Sequence, residues 1–134
     1  MQVRALSRAQ SVMKLHMRNS NIMLKRVYEK PKKDDGYRIL VDRLWPRGLS
    51  RASARVDLWL KDIAPSTELR RWFNHDPDKW DEFKLRYRKE LDGNKETVNR
   101  LMEIIRKKKN VTFLYSTTNR VQNNASALIE LLGL

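Results

Sequence analysis

Three charged residues follow the apolar run at residues 39–41, inside the stretch GYRILVDRLWPRG: Asp42, Arg43 and Arg47. Because side chains alternate along a strand, Asp42 and Arg43 point to opposite faces and cannot readily satisfy each other. An ion buried alone is costly, so each is expected to find its own partner or to open onto solvent where the strand ends. Two roles are open for Asp42: a general base, or a structural acceptor for the N–H groups of a loop.

A second polar group follows the apolar run VTFLY, residues 111–115. If the two runs are parallel neighbours, both polar groups lie at the carboxyl edge of the sheet, where open parallel sheets bind ligands. Hydroxyls, amides, arginines and a helix N-terminus together predict an anion-binding site there. The predicted ligand-binding residues are Arg43, Arg47, Ser116, Arg120, Asn123 and Asn124. In the alternative, the two arginines lock their loop through salt bridges and backbone carbonyls, and Ser116 belongs to an ordinary polar loop before a helix.

His75, in FNHDPDKW, joins Asp42 as a candidate for proton transfer. Its alternative is a histidine at a helix terminus that bonds to the backbone or to Asp76, and whether the protein is an enzyme stays open. The chain has no cysteine, and its two histidines, His16 and His75, show no metal-ligand spacing, so no thiolate or histidine metal site is predicted, while an oxygen-only magnesium site stays open. Neither GxxxxGK(S/T) nor GxGxxG occurs, so no fingerprint for nucleotide binding is present and the cofactor stays unknown.

The elements that must position these residues begin with two strands. LKRVYEK, residues 24–30, alternates well enough for a short edge strand, and a charged turn follows it. Residues 39–41 are apolar on both faces, which predicts a central strand of a parallel sheet. A helix is then expected in ASARVDLWLKDIAP, residues 52–65, whose Val56, Trp59, Leu60 and Ile63 stand at helical spacing.

Capping residues predict the later helices. Ser66 is expected to cap a short helix, and Asp76 followed by proline to begin a longer one that ends at Gly93. A further helix, the strand VTFLY and a last helix complete the chain. The predicted core stripe of the longer helix is Trp80, Phe83, Tyr87 and Leu91. This order predicts an α/β protein: a small single-domain three-layer fold with a mainly parallel central sheet flanked by helices.

The length of 134 residues, 40% of them hydrophobic, fits one domain with one modest core. Residues 24–134 are predicted to form that domain. Residues 1–23 carry four basic residues and no acid, and are expected to be a basic N-terminal extension, disordered or outside the core. The alternatives are an amphipathic targeting helix or a segment upstream of a start at Met17 or Met23. No apolar run approaches the roughly 20 residues of a membrane helix, so no membrane partner and a cytoplasmic location are expected.

Three segments carry a resemblance to a known family: KRVYEKPKKDDGYRILVDRLWPRGLSR, WLKDIAPSTELRRWFNHDPDKWDEF and VTFLYSTTNRVQNNA. Over residues 24–132 the chain resembles the YeaO-like family of uncharacterised proteins, which implies an α/β fold and no settled activity. The motif residues are Gly36, Arg38, Val41, Asp42, Arg43, Trp45, Pro46, Arg47, Gly48, Trp59, Lys61, Pro65, Ser66, Leu69, Arg70 and His75. Relatives commonly have Asn-His-Ala, and more distant ones Cys-His-Arg, where this chain has Asn-Asn-Ala at 123–125. Chemistry that depends on that thiol or histidine therefore does not carry over.

The net charge of +13, from 29 Lys and Arg against 16 Asp and Glu, favours partners with phosphate or acidic groups. The leading hypothesis is a protein that binds a small phosphate- or carboxylate-bearing ligand at the carboxyl ends of the strands, with or without catalysis. One alternative is a basic nucleic-acid-binding accessory protein, although no reading helix or aromatic RNA motif is recognisable. Another is a structural or partner-binding domain with Trp45, Trp59 and Trp72 as interface anchors.

Overall fold

The computed structural model of the protein describes residues 21–134, and in that range it forms one sheet of four parallel strands. The strands are β1 (Asn21–Arg26), β2 (Tyr37–Leu40), β3 (Leu58–Trp59) and β4 (Asn110–Tyr115), in the order β1-β4-β2-β3. The predicted parallel pairing of the two apolar runs, β2 and β4, is confirmed. β1 is an edge strand as expected, but it starts three residues before residue 24, so residues 21–23 of the predicted extension belong to it. The expectations for residues 1–20 lie outside the described residues.

Helices pack beside these strands. Those of residues 21–134 are α1 (Arg51–Ala54), α2 (Thr67–Phe73), α3 (Trp80–Asp92), α4 (Lys95–Lys107) and α5 (Asn124–Leu132), with 3₁₀ turns at Lys33–Asp35, Lys61–Ile63 and Pro77–Lys79. The Oγ of Ser66 accepts a hydrogen bond from the N–H of Leu69 at 3.1 Å, which caps α2. The carboxylate of Asp76 accepts one from the N–H of Asp78 at 3.0 Å, at the turn that leads into α3. Both predicted helix starts are confirmed.

The two faces of the sheet carry separate hydrophobic clusters. Ile39 and Phe113 belong to the larger cluster, whereas their neighbours Leu40 and Leu114 belong to the smaller one, as strand alternation requires. The larger cluster joins the sheet to α3, α4 and α5 through buried residues that include Phe83, Tyr87, Leu91, Leu101, Ile105 and Leu128. The smaller is covered by α1 and by two half-buried tryptophans, Trp45 and Trp59. The small α/β fold predicted from the sequence is confirmed.

The helix expected over residues 52–65 is wrong. Arg55 takes a left-handed conformation with φ of 49°, which ends α1 after one turn. The chain then forms β3, where Leu58 pairs with Ile39, and the N–H of Leu60 donates to the carbonyl of Leu40 at 3.0 Å. The apolar residues at helical spacing here lie at the edge of the sheet instead. Pairing with β2 satisfies the hydrogen bonds of the backbone N–H and C=O groups as well as a helix would.

A buried ion network closes the amino end of β2, opposite the predicted site. The Nη1 of Arg38 lies 2.5 Å from Oδ2 of Asp35, and the Nζ of Lys25 lies 3.0 Å from both carboxylate oxygens. The Nε and Nη2 of Arg38 donate to the carbonyls of Arg55 and Ala54, at 2.9 Å each. Burial opposes ionisation of Asp35, but a backbone N–H and the two cations hold its pKa below the usual value. The single carboxylate balances one of the two cations, so the three side chains together keep a net positive charge within the fold.

Candidate functional site

Asp42 links the end of β2 to the loop that follows β4. Its Oδ2 accepts hydrogen bonds from the N–H of Ser116 at 2.9 Å and from the Ser116 Oγ at 2.8 Å, and its Oδ1 accepts one from Nδ2 of Asn124 at 3.1 Å. Burial raises the pKa of Asp42 above its usual value, although these hydrogen bonds and the charge of Arg70 favour the carboxylate. The geometry agrees with the role of structural acceptor, and the general-base role stays a prediction.

Arg43 has separate partners, as the alternation of side chains predicts. Its Nε donates to the carbonyl of Pro65 at 3.0 Å and its Nη2 to the carbonyl of Ala64 at 3.1 Å. Both carbonyls lie just before α2, so Arg43 ties the exit of β2 to the start of that helix. This is the loop-locking alternative for Arg43. Since a guanidinium group has five N–H donors, the two bonds leave others that can contact a ligand.

A cleft of about 550 Å³ opens at the carboxyl ends of β2 and β4. Its wall is formed by the loop after β2, the end of α2 and the loop before α5. Among its lining residues are the predicted site residues Asp42, Arg43, Arg47, His75, Ser116, Asn123 and Asn124. Thr117 and Thr118, which the sequence also places at this edge, line it as well, together with the unpredicted Tyr28, Arg70, Arg71, Asn74 and Gln122. The cleft therefore brings together seven of the eight predicted site residues, with Arg120 outside.

Three arginines of the cleft differ from Arg43 in their environment. The residues Arg47, Arg70 and Arg71 are exposed, and their guanidinium groups form no hydrogen bond or salt bridge with another residue of the described chain, although the charge of Arg70 acts on Asp42. Arg47 comes from the loop after β2, whereas the adjacent pair lies in the last turn of α2. Positive charge from two sides of one cleft attracts an anion, because each guanidinium offers a planar set of donors.

The loop between β4 and α5 uses its polar residues in two ways. Asn123 is buried and caps α5: its Oδ1 accepts from the N–H of Ser126 at 2.8 Å, and its own N–H donates to the Ser126 Oγ at 3.2 Å. Its Nδ2 donates to the carbonyl of Asn119 at 3.1 Å. Arg120 forms a salt bridge of 3.2 Å with Glu29 on the outer side of the loop. Asn123 therefore shapes the floor of the cleft, while Arg120 supplies it with no donor in this conformation.

His75 lies at the rim of the cleft, after the end of α2. It and Asn74 are consecutive non-glycine residues in the left-handed region, with φ of 57° and 46°. This conformation is uncommon outside glycine and turns the chain sharply, which places both side chains on the cleft. The ring of His75 is exposed, lies 6.5 Å from that of Phe73, and forms no hydrogen bond with Asp76 or any other described residue. Proton transfer by His75 stays a prediction.

Tyr28 is a further part of the wall that the sequence did not indicate. Its hydroxyl donates to the backbone carbonyl of Arg47 at 2.8 Å, and the guanidinium carbon of Arg26 lies 5.1 Å from its ring centroid. Arg26 in turn donates to the carbonyls of Thr117 at 2.9 Å and Ser116 at 3.0 Å. Tyr28 and Arg26 thus connect the end of β1 to both loops of the cleft.

The unpredicted residues had weak signals in the sequence. The Arg70-Arg71 pair looks like an ordinary cationic end of a helix, where positive charge complements the dipole. Arg70 is a motif residue of the resembled family, but its position gave it no role. The signal that could have located the pair is Asn74, a residue tolerant of the left-handed conformation that ends α2 beside the strand ends.

Residues 21–134 contain neither a candidate metal cluster nor a membrane-spanning helix. No group of three or more His, Cys, Asp or Glu side chains in that range could hold a metal ion. In the same range, no helix has the length and apolar composition needed to cross a membrane.

Comparison with known proteins identifies the family. A family model described as the inactive DUF488-N3 subclade matches residues 21–133. The uncharacterized protein YeaO of Escherichia coli is 45% identical over 112 residues, which cover 84% of this chain and 96% of that protein. Uncharacterized proteins of Mycobacterium tuberculosis and Mycobacterium bovis are 38% identical over 117 residues, 87% of this chain and 98% of theirs. No solved structure gives a significant match. The chain therefore belongs to the YeaO-like family, within the inactive DUF488-N3 subclade.

Proposed function

We propose that the protein binds a small anionic ligand, one that carries a phosphate or carboxylate group, in the cleft at the carboxyl ends of β2 and β4. The observation that carries this proposal is the set of Arg47, Arg70 and Arg71, whose guanidinium groups share one cleft and form no salt bridge among the described residues. Like charges around one concave surface repel one another, and a bound anion converts that repulsion into attraction.

The remaining groups of the cleft fit a binding role. Arg43 and Arg26 donate hydrogen bonds to backbone carbonyls and thereby hold the walls of the cleft in place. Asp42 joins the two loops, and its only charged neighbours in the cleft are arginines. A cleft fixed in this way before the ligand arrives loses little conformational freedom on binding. The ligand would therefore meet a preorganised set of cationic donors.

Binding without turnover is the simpler form of this proposal. The family matched by residues 21–133 is described as inactive. The Ser116 hydroxyl already donates to the carboxylate of Asp42, so this hydroxyl–carboxylate pair holds a loop. We therefore assign the arginines to ligand binding and Asp42 to positioning of the loop that faces them.

The experiment is a calorimetric titration with inorganic phosphate and citrate at constant ionic strength. The variant Arg70→Gln/Arg71→Gln is compared with Arg100→Gln/Lys109→Gln, which removes the same charge from exposed positions outside the cleft. Each lost charged hydrogen bond costs about 1.5–3 kcal/mol, so the cleft variant is expected to bind at least tenfold more weakly, and the control within about twofold of the wild type. Equal loss in both variants, or no saturable binding by the wild type, contradicts the proposal.

The net charge of +13 favours a second candidate, binding to the phosphate backbone of nucleic acid. Such binding is measured by filter retention of a labelled oligonucleotide over a range of salt concentrations. A steep fall in affinity with salt, equal for the cleft and control variants, would favour this candidate over the cleft, because backbone binding depends on total charge.

A further inference from the structure

We infer that the ligand of the cleft is a nucleoside monophosphate, a phosphate ester joined through a sugar to a planar heteroaromatic base. This inference rests on the proposed function, since it assigns the arginines to the phosphate. It adds a second half to the site: the ring of Tyr28 as a stacking surface for the base, and the amide of Gln122 and the Oδ1 of Asn124 as hydrogen-bonding partners for its edge.

Tyr28 is an aromatic residue that the hydrophobic core does not explain. It is 42% exposed and belongs to neither hydrophobic cluster. The ring is nevertheless fixed, because its hydroxyl donates to the Arg47 carbonyl and the Arg26 guanidinium lies on its face at 5.1 Å. Arg26 is itself held by the carbonyls of Ser116 and Thr117. An immobilised ring that lines a cleft stacks a base at little cost in entropy.

Amide groups supply the partners that a base edge needs. The side chain of Gln122 and the Oδ1 of Asn124 line the cleft, and neither forms a hydrogen bond with another described residue. An amide presents donors and an acceptor in one plane, which matches the alternating donors and acceptors of a base. A simple phosphate or carboxylate would leave these groups and Tyr28 without a contact.

The size and the chemistry of the cleft agree with this ligand. Its volume of about 550 Å³ lies within the 300–1,000 Å³ typical of sites for molecules of this size. Glycine-rich loops bind nucleotide phosphates through backbone N–H groups, and this chain contains neither glycine-rich fingerprint. Here the guanidinium groups of Arg70 and Arg71 take that role, because their forked donors fit phosphate oxygens directly.

The test compares four probes by calorimetry: inorganic phosphate, ribose 5-phosphate, a purine nucleoside 5′-monophosphate and the matching nucleoside. The nucleotide is expected to bind roughly tenfold more tightly than ribose 5-phosphate, which is the factor that stacking on an aromatic side chain typically supplies. Tyr28→Leu should abolish this preference. Tyr28→Phe, which keeps the ring but loses the hydroxyl contact to Arg47, should retain it.

The possible failures are distinguishable. If ribose 5-phosphate and the nucleotide bind equally and both depend on Arg70 and Arg71, the inference is overturned and the proposed function stands. If none of the phosphates binds, the inference is overturned, and if citrate does not bind either, the proposed function is overturned with it. Equal loss of preference in Tyr28→Phe and Tyr28→Leu, with unfolding midpoints unchanged, assigns Tyr28 to holding the loop and overturns the stacking role. Tight binding of a single-stranded oligonucleotide that the nucleotide does not displace also overturns the inference.

Discussion

Replacing Arg43 with alanine is expected to lower the free energy of unfolding by about 2–4 kcal/mol. The side chain forms two hydrogen bonds that cross from the end of β2 to the segment before α2, at 3.0 Å to Pro65 and 3.1 Å to Ala64. Both of these residues are buried, so water does not readily replace the lost donor. The change tests whether Arg43 is chiefly a structural link.

The magnitude follows from the two acceptors. Each buried carbonyl left without its partner costs about 1–3 kcal/mol, and relaxation toward the water of the cleft reduces the sum. A loss of this size is a large share of the roughly 5–15 kcal/mol that stabilises a domain. Lysine has one ammonium group and cannot reach both carbonyls in the geometry of the guanidinium fork, so Arg43→Lys should recover about half of the loss.

Urea-induced unfolding monitored by tryptophan fluorescence measures these differences. Arg47→Ala is the matched control, because it removes the same side chain from the same loop but breaks no described contact of the guanidinium group. Its free energy of unfolding should change by less than about 0.5 kcal/mol. If Arg43→Ala costs less than about 1 kcal/mol, or no more than Arg47→Ala, the two hydrogen bonds do not contribute as argued.

Three further predictions concern the ends of the sheet and are measured by the same unfolding assay. Asp35→Asn should cost about 3–5 kcal/mol, because it leaves Arg38 buried without its counter-ion; a loss below about 1 kcal/mol would contradict this. Gly36→Ala should cost about 2–5 kcal/mol, since the φ of 67° disfavours a side chain and the new Cβ would overlap the carbonyl of Asn110; an unchanged midpoint would contradict it. Because burial raises the folded-state pKa of Asp42, the stability due to its protonated form is complete below the ordinary value of 3.8 and is lost as pH rises through the folded-state pKa. Relative to Asp42→Asn, the wild type should therefore lose stability as pH rises above about 4, and parallel pH profiles would refute the raised pKa.

Patterns of local sequence were sufficient to predict that a polar cleft lies at the carboxyl edge of the sheet. Two apolar runs, each followed by polar residues, predicted parallel central strands and a polar edge, and β2 and β4 pair in that way. Strand alternation also predicted that Asp42 and Arg43 need different partners. The partners themselves could not be predicted, because Ser116 is 74 residues from Asp42 and Pro65 is 22 residues from Arg43. Such contacts depend on how distant loops meet at the edge of the sheet.

Residues whose role depends on the path of the chain were missed. Trp59 fits a helical stripe in the sequence, but Arg55 turns the chain and Trp59 joins the edge strand instead. Arg71 resembles any cation in the last turn of a helix until the left-handed Asn74 brings that turn to the cleft. Arg120 is close in sequence to the cleft loop, yet it pairs with a glutamate on the other side. In each case the local pattern predicted a helical or loop position, and the tertiary path of the chain determined where the side chain lies.

The net charge of +13 describes the whole chain and does not determine the local charge at the cleft. At the amino end of β2, Arg38 and Lys25 share the one carboxylate of Asp35, which offsets part of their charge. At the carboxyl end, Arg43 and Arg26 remain charged but use donors on backbone carbonyls, which carry no compensating charge. Their positive charges therefore add to the electrostatic field of Arg47, Arg70 and Arg71. Positive charges from the loop after β2 and from the end of α2 converge in the cleft, and this convergence is the basis for the proposed anion site.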